Sequence, residues 1–193
     1  MSEDSPTRRR TRAAIVRAAV SVLARRPEAS LAVIAAEAQV SRSTLHRHFA
    51  DRGDLERAAV AQSVEDITRA TVDARPEHGA PLEALTRVIA AYVGVGDRIR
   101  FLFHDPRLLG AHSDLADFAA ADGPVLALIA RGQRDGSMDS AVGAGWIEQA
   151  LWALVYAAAE AVDGGLLPGH AAAETVARTL VTGIGGDADR EAG

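Results

Sequence analysis

The stretch Leu31–Leu55, LAVIAAEAQVSRSTLHRHFADRGDL, constrains this chain more than any other. Leu31, Ile34, Ala35 and Ala38 fall at i, i+3, i+4 and i+7, which puts one apolar face on a helix. Ser30 stands just ahead, where its hydroxyl can cap free N–H groups. Ala35 and Ala38 are small, so a second helix can approach closely. Val40 closes a tight turn and points inward, and Ser41 supplies the next N-cap. The second helix, Arg42 to His48, is short. Leu45 and Phe49, four apart, face the core, which leaves Arg42, Ser43, Thr44, His46, Arg47 and His48 facing outward. Asp51, with Asp54 three residues on, caps a third helix. Hydroxyls, guanidinium forks and imidazoles suit base edges and phosphates. Together these parts make a helix-turn-helix DNA reader. A polar surface turn between core helices is the weaker reading, because cap, small residues, apolar positions and polar display all agree.

The run IAAEAQVSRSTLHRHFADRGDL resembles the signature of the tetracycline-repressor (TetR) family of transcription regulators, I-A-x-x-A-G-V-S-x-x-T-L-Y-x-H-F-x-x-K-x-x-L. The match is strong over about twenty-five residues; beyond residue 60 the likeness is architectural. The resemblance implies a homodimeric, ligand-responsive regulator, most often a repressor, that binds a palindromic operator. It implies base-edge contacts from Arg42, Ser43, Thr44 and Arg47, and phosphate contacts from Ser41, His46, His48 and Arg52. Three positions depart from the pattern. Gln39 stands where the turn usually has Gly, and a left-handed backbone there costs a non-Gly residue about 1 kcal/mol. His46 replaces the Tyr that reaches a phosphate, and Arg52 replaces Lys with its charge kept. Ala32 and Val33 are apolar where the family often has polar DNA contacts, so a thymine methyl is the most they can touch.

Net charge is −5, unusual for a chain that grips a polyanion, but the charge is unevenly placed. Residues 1–58 hold eleven Arg against seven acids, about +4, and residues 59–193 hold ten Arg against nineteen acids, about −9. Basic charge therefore gathers in the segment with the motif, and the acidic remainder orients the chain on DNA. Ahead of the motif, Ile15, Ala18, Ala19, Val22 and Leu23 stripe a helix along Thr7 to Arg25, ended by Pro27. Its leading arm, Thr7, Arg8, Arg9, Arg10 and Arg12, reads as a flexible basic segment, with Arg8 and Arg10 anchoring to phosphate or minor groove.

The fold class is all-α, with about nine helices. Residues 1–53 form a three-helix DNA-binding domain, 54–185 a helical effector-binding and dimerisation domain, and 186–193 a disordered tail. Beyond residue 53 there are no alternating β-branched runs, and Ala-rich periodic segments predict helices at about 54–74, 81–97, 99–109, 113–135, 142–163 and 170–184. Pro81 opens its helix, and Gly123–Pro124 breaks or kinks the long segment at 113–135. No run of eighteen apolar residues is long enough for a membrane helix. No apolar signal core occurs at the N-terminus, so the expected location is cytoplasmic. Zero cysteines exclude disulfides and Cys-ligated zinc. No cofactor is expected.

The helices at 142–163 and 170–184 are the candidates for self-association. Trp146, Ile147, Ala150, Leu151, Leu154, Val155, Ala158 and Val162 are too apolar for one stripe, and Ala171, Ala172, Val176, Leu180, Val181 and Ile184 repeat the pattern. In the family it resembles, such a pair meets its twofold mate in a four-helix bundle. An effector pocket is expected from Tyr92, Phe101, Phe103, Phe118, Trp146, Trp152 and Tyr156, with His104 or Arg107 as the polar handle. Ordinary core packing is the competing reading for each aromatic. The alternative function is a metal-binding helical protein or metal sensor using His104, Asp105, His112 and Asp114. Catalysis is not expected, since HExxH, G-x-S-x-G, phosphate-loop and dinucleotide patterns are all missing. A non-specific architectural DNA protein is disfavoured by the negative net charge.

Overall fold

Helix α1, Pro6–Arg25, opens on a proline, whose missing N–H would have had no intrahelical partner there. From Ile15 to Ala24 every residue but Arg17 and Ser21 is buried, so α1 must be covered on more than one side. On it pack α2 (Leu31–Glu37), α4 (Arg52–Asp73) and α6 (Gly96–His104). The computed structural model describes residues 5–104 and 115–185, with backbone alone over 115–122. The remaining helices are α3 (Arg42–His48), α5 (Pro81–Gly94), α7 (Leu115–Asp135), α8 (Ala144–Asp163) and α9 (Ala172–Ile184), with a 3-10 turn at Gly169–Ala171. The described residues are thus nine α-helices with no strand, only an isolated bridge between Met138 and Gly185. None of these helices is long and apolar enough to cross a membrane.

Four local expectations change. Thr7–Arg12 is not a flexible arm but the first turns of α1. Ser30 precedes α2 in extended backbone, yet its side chain makes no capping bond. The fifth and sixth helices divide at Val95, between Gly94 and Gly96, where the backbone leaves helical geometry. Pro124 does not end its helix, since α7 continues through it to Asp135. The tail at 186–193 lies outside the described residues.

Helix α4 joins the reader to the body, and both its ends are tied down. Beyond its C-terminus, Arg87 of α5 donates from Nε to Ala74 O (3.1 Å) and from Nη2 to Arg75 O (3.1 Å) and His78 O (2.6 Å). Arg131 of α7 donates to Glu77 O (2.6 Å) and Pro76 O (3.0 Å). Those carbonyls follow the negative end of the helix dipole, where cations are favoured. Helix α6 is tied to its neighbours on two sides. Arg98 bonds Asp66 of α4 at 3.2 Å, and buried Arg100 pairs with Glu160 and, at 3.3 Å, Asp163 of α8. Two carboxylates offset the desolvation of that guanidinium, and Gly96 lets α6 approach α8, because a Cβ there would stand 3.2 Å from the Ala159 Cβ.

Candidate nucleic-acid interface

The turn between α2 and α3 closes as a Schellman motif. Ala38 caps α2, Gln39 N donates to Ala36 O (3.0 Å), and Val40 N donates to Ala35 O (2.9 Å). Gln39 takes the left-handed position at φ 55°, as its place in the motif requires. Val40, like Ala38 and Leu31, packs against the core. On the far side of the turn, Leu45 and Phe49 are buried. These contacts fix where α3 starts and which side of it faces out.

The start of α3 is held by hydroxyls. Ser41 Oγ accepts from Thr44 N at 3.1 Å and lies 2.9 Å from both Ser43 Oγ and Thr44 Oγ1. Arg47 donates to Thr44 Oγ1 at 3.3 Å. Arg42, Ser43, His46 and Arg47 are exposed, while Thr44 and His48 are half-buried. Thr44 is therefore oriented from both ends, and the guanidinium of Arg47 is aimed along the helix. Beyond α3, Asp51 Oδ1 accepts from Asp54 N (2.8 Å), and Asp54 Oδ2 accepts from Ala50 N (3.2 Å), a reciprocal cap that starts α4. Val33 packs into the core and Ala32 is half-buried, so this part of α2 is largely structural.

Ser5, Thr7, Arg8 and Thr11 of the α1 end face Thr44, Arg47 and His48 across a groove. Arg12 lies over the Phe49 ring, 4.9 Å from its centre, which ties the first turns of α1 to the end of α3. The α1 N-terminus has no acidic residue in its first turn and no side-chain cap, yet Arg8, Arg9 and Arg10 crowd it. Guanidinium groups gathered at a helix N-terminus favour an anion such as a phosphate there. Ser5 and Thr11 were not foreseen; a helix starting at Pro6 is the signal that sets them one turn from Arg8. The three nitrogens of Arg52 donate within the protein, to Glu56 (2.7 Å), Ala29 O and Pro27 O.

No protein-family model matches the chain. Over 184 residues, 95% of each sequence, it is 35% identical to the HTH-type transcriptional repressor LfrR of Mycolicibacterium smegmatis. The solved structure of the TetR-like regulator LfrR from Mycobacterium smegmatis, in complex with proflavine, superposes with a TM-score of 0.78. That superposition covers 92% of this chain and 98% of the other, at 33% identity. The chain belongs to the TetR family of transcriptional regulators. The HTH-type regulator NfxB of Pseudomonas aeruginosa is a more distant relative, 26% identical over 171 residues, 88% of this chain and 91% of NfxB. The ketosteroid regulator KstR2 of Mycobacterium tuberculosis shares the fold, with a TM-score of 0.72 at 14% identity over 90% of this chain and 94% of that one. This TetR-family chain is a DNA-binding transcriptional regulator and not an enzyme.

In the regulator's body, the structure brings together part of the expected pocket. Tyr92 of α5 stacks on Trp152 of α8 at 4.5 Å and 16°, and Phe103 of α6 stacks on Trp152 from 5.9 Å at 27°. The Tyr92 hydroxyl lies 2.9 Å from Thr71 Oγ1 of α4, so this stack reaches the connecting helix. Phe101 is buried and Tyr156 half-buried, whereas His104 is exposed. Trp146 is 68% exposed and stands apart, because six residues along α8 turn it to a different face from Trp152. The side chain of Phe118 lies outside the described residues, as do Asp105, Arg107, His112 and Asp114. The metal-sensor alternative is not supported: the relatives are named as regulators, and the described residues hold no group of three or more metal-ligating side chains. Sequence reasoning missed Glu148, a buried carboxylate one helical turn before Trp152. Their i, i+4 spacing was the available signal. It also missed a cavity of about 290 Å³ between the α5–α6 junction and the end of α8, lined by Gly96, Arg100, Ala159 and Asp163.

The left-handed residue gives a direct test of the turn. Gln39→Gly is expected to raise stability by about 0.5–1 kcal/mol, since glycine removes the Cβ penalty at φ 55°. Urea unfolding of the two proteins measures it, and a loss of stability would show that the Gln39 side chain contributes more than its backbone costs.

Proposed function

We propose that this regulator is a repressor that binds a palindromic operator as a homodimer and is released by a planar aromatic cation. The observation that carries the DNA reading is α3, whose Arg42, Ser43, Thr44 and Arg47 stand outward on a helix fixed from both ends. These four are assigned to base edges. Ser41, His46 and His48, with Arg8 across the groove and Arg10 near it at the start of α1, are assigned to phosphates. Residues 1–53 then act as the reader and 54–185 as the effector-binding and dimerising body, in the cytoplasm with the DNA.

Dimerisation is supported by the outer face of α8. Ile147, Leu151, Val155 and Ala158 point into the core, but Trp146, Ala153 and Ala157 are exposed and Ala150, Leu154 and Ala161 half-exposed. Small residues at that spacing let a second copy of α8 approach closely, and α9 offers Thr175, Thr179, Val181 and Gly183 beside it. Two recognition helices about 34–36 Å apart read two half-sites one helical turn apart.

The effector class is supported by two features. LfrR was solved with proflavine, a flat aromatic cation. Here the Tyr92–Trp152–Phe103 stack offers ring faces, and buried Glu148 offers a carboxylate on the same side of α8 as Trp152. A ring inserted into the stack presses on Tyr92, whose hydroxyl meets Thr71 of α4. Release requires the bound ligand to favour a spacing of the recognition helices that misfits the operator. A switch from mostly bound to mostly free needs roughly 5.5 kcal/mol of such preference.

Two measurements check this account. Arg42→Ala is expected to weaken binding to an operator selected from random duplexes by about 1–3 kcal/mol and to leave random DNA almost unaffected. Equal losses on both, read by fluorescence anisotropy, remove Arg42 from the base contacts. Proflavine is expected to displace the operator, and Glu148→Gln to weaken proflavine binding about tenfold while the fold is retained. Unchanged proflavine affinity in that variant refutes the carboxylate's role.

A further inference from the structure

Arg52 sits at the first position of α4, where the family pattern has a lysine. A cation there faces the positive end of the helix dipole and gains nothing from it. The guanidinium is instead held by three acceptors. Nε donates to Glu56 Oε1 at 2.7 Å, one turn along α4, and Nη1 and Nη2 donate to Ala29 O and Pro27 O. These two carbonyls belong to the loop Pro27–Ser30 between α1 and α2, more than twenty residues earlier in sequence. Glu56 already pairs with the group at 2.7 Å, and Asp51 and Asp54 cap the same helix start, Asp54 lying 3.6 Å from Arg57, so the Arg52 charge is met by a carboxylate before any phosphate approaches.

The loop matters because α2 is short. It has seven residues, with Ile34 and Ala35 buried and Leu31 and Val33 partly so, and its Ser30 makes no side-chain cap. Where α2 begins is therefore set largely by the loop, and α2 in turn sets α3 through the Schellman turn. We propose that Arg52 is a positioning residue that clamps the α1–α2 loop to α4 and thereby fixes the tilt of the recognition helix, and that it does not contact DNA phosphate. Its planar fork reaches two carbonyls and a carboxylate at once. A lysine ammonium in the same place has the charge but not the fork.

This inference rests on the proposed reading of α3, and the salt dependence of binding to random duplex tests it without any operator. The probes are an operator selected from random duplexes and a random duplex of equal length, titrated by anisotropy over a NaCl series with Arg52→Lys and Arg52→Gln. A phosphate contact predicts that Lys behaves as Arg, and that Gln flattens the slope of log K against log salt on random DNA by about 0.9. The clamp predicts the opposite pattern: both variants lose about tenfold on the operator, and the slope on random DNA is unchanged in each. Glu56→Gln, which leaves Arg52 charged and loosens its fork, is expected to move operator affinity in the same direction. It stands in should either Arg52 variant fail to fold. Wild-type operator affinity in Arg52→Lys, or a slope reduced by about one in Arg52→Gln, overturns the proposal. If no operator is enriched, the sequence-specific reading fails, while the slope on random duplex still decides whether Arg52 holds a phosphate.

Discussion

The structure depends on the burial of α1. Eight of the ten residues from Ile15 to Ala24 are inaccessible, because α2 and α4 cover one side and α6 another. A helix buried this completely cannot move independently of what it packs on. The front of α1 carries Arg8 to the groove beside α3 and Arg12 over the Phe49 ring, and its rear rests on a helix of the body. The reader is therefore joined to the body twice, covalently through α4 and by packing through α6.

That double attachment gives the proposed ligand site its leverage. Phe103 lies at the end of α6 and Trp152 in the middle of α8, and the same α6 carries Arg98 to Asp66 of α4 and Arg100 to Glu160 and Asp163 of α8. Material inserted between the rings must act on a helix that is ion-paired on both sides. At the far end, Arg87 and Arg131 fix the carbonyls that follow α4. With those carbonyls fixed, any tilt of α4 displaces its N-terminal end most, where Arg52 meets the α1–α2 loop. Charge supports the same division: basic residues outnumber acids ahead of residue 59, and acids predominate beyond it.

What could be read from sequence was local. The apolar spacing of Leu31, Ile34, Ala35 and Ala38, the Ser41 cap, the Asp51–Asp54 cap and the left-handed Gln39 all depend on residues within a few positions of one another, and all are as expected. Features that need the chain to return on itself were not legible. Nothing near residue 52 announces that its side chain reaches Pro27 and Ala29, more than twenty residues away in sequence. Aromatic residues gave a similar lesson. Trp146 and Trp152 looked equivalent as pocket candidates, although their six-residue separation puts them on different faces of one helix. The Pro6 start turned an expected flexible arm into helix, and it moved Arg8 and Thr11 to fixed positions beside Arg47 and His48.

The central claim is that two copies of this chain present α3 to one DNA duplex at a fixed spacing. Selection of bound duplexes from a random pool, followed by sequencing, tests it most directly. An enriched inverted repeat, with half-site centres about 10–10.5 base pairs or a multiple apart, is the predicted result. Enrichment of an isolated half-site, or of no sequence while the protein is folded and binds DNA, contradicts the dimeric reader.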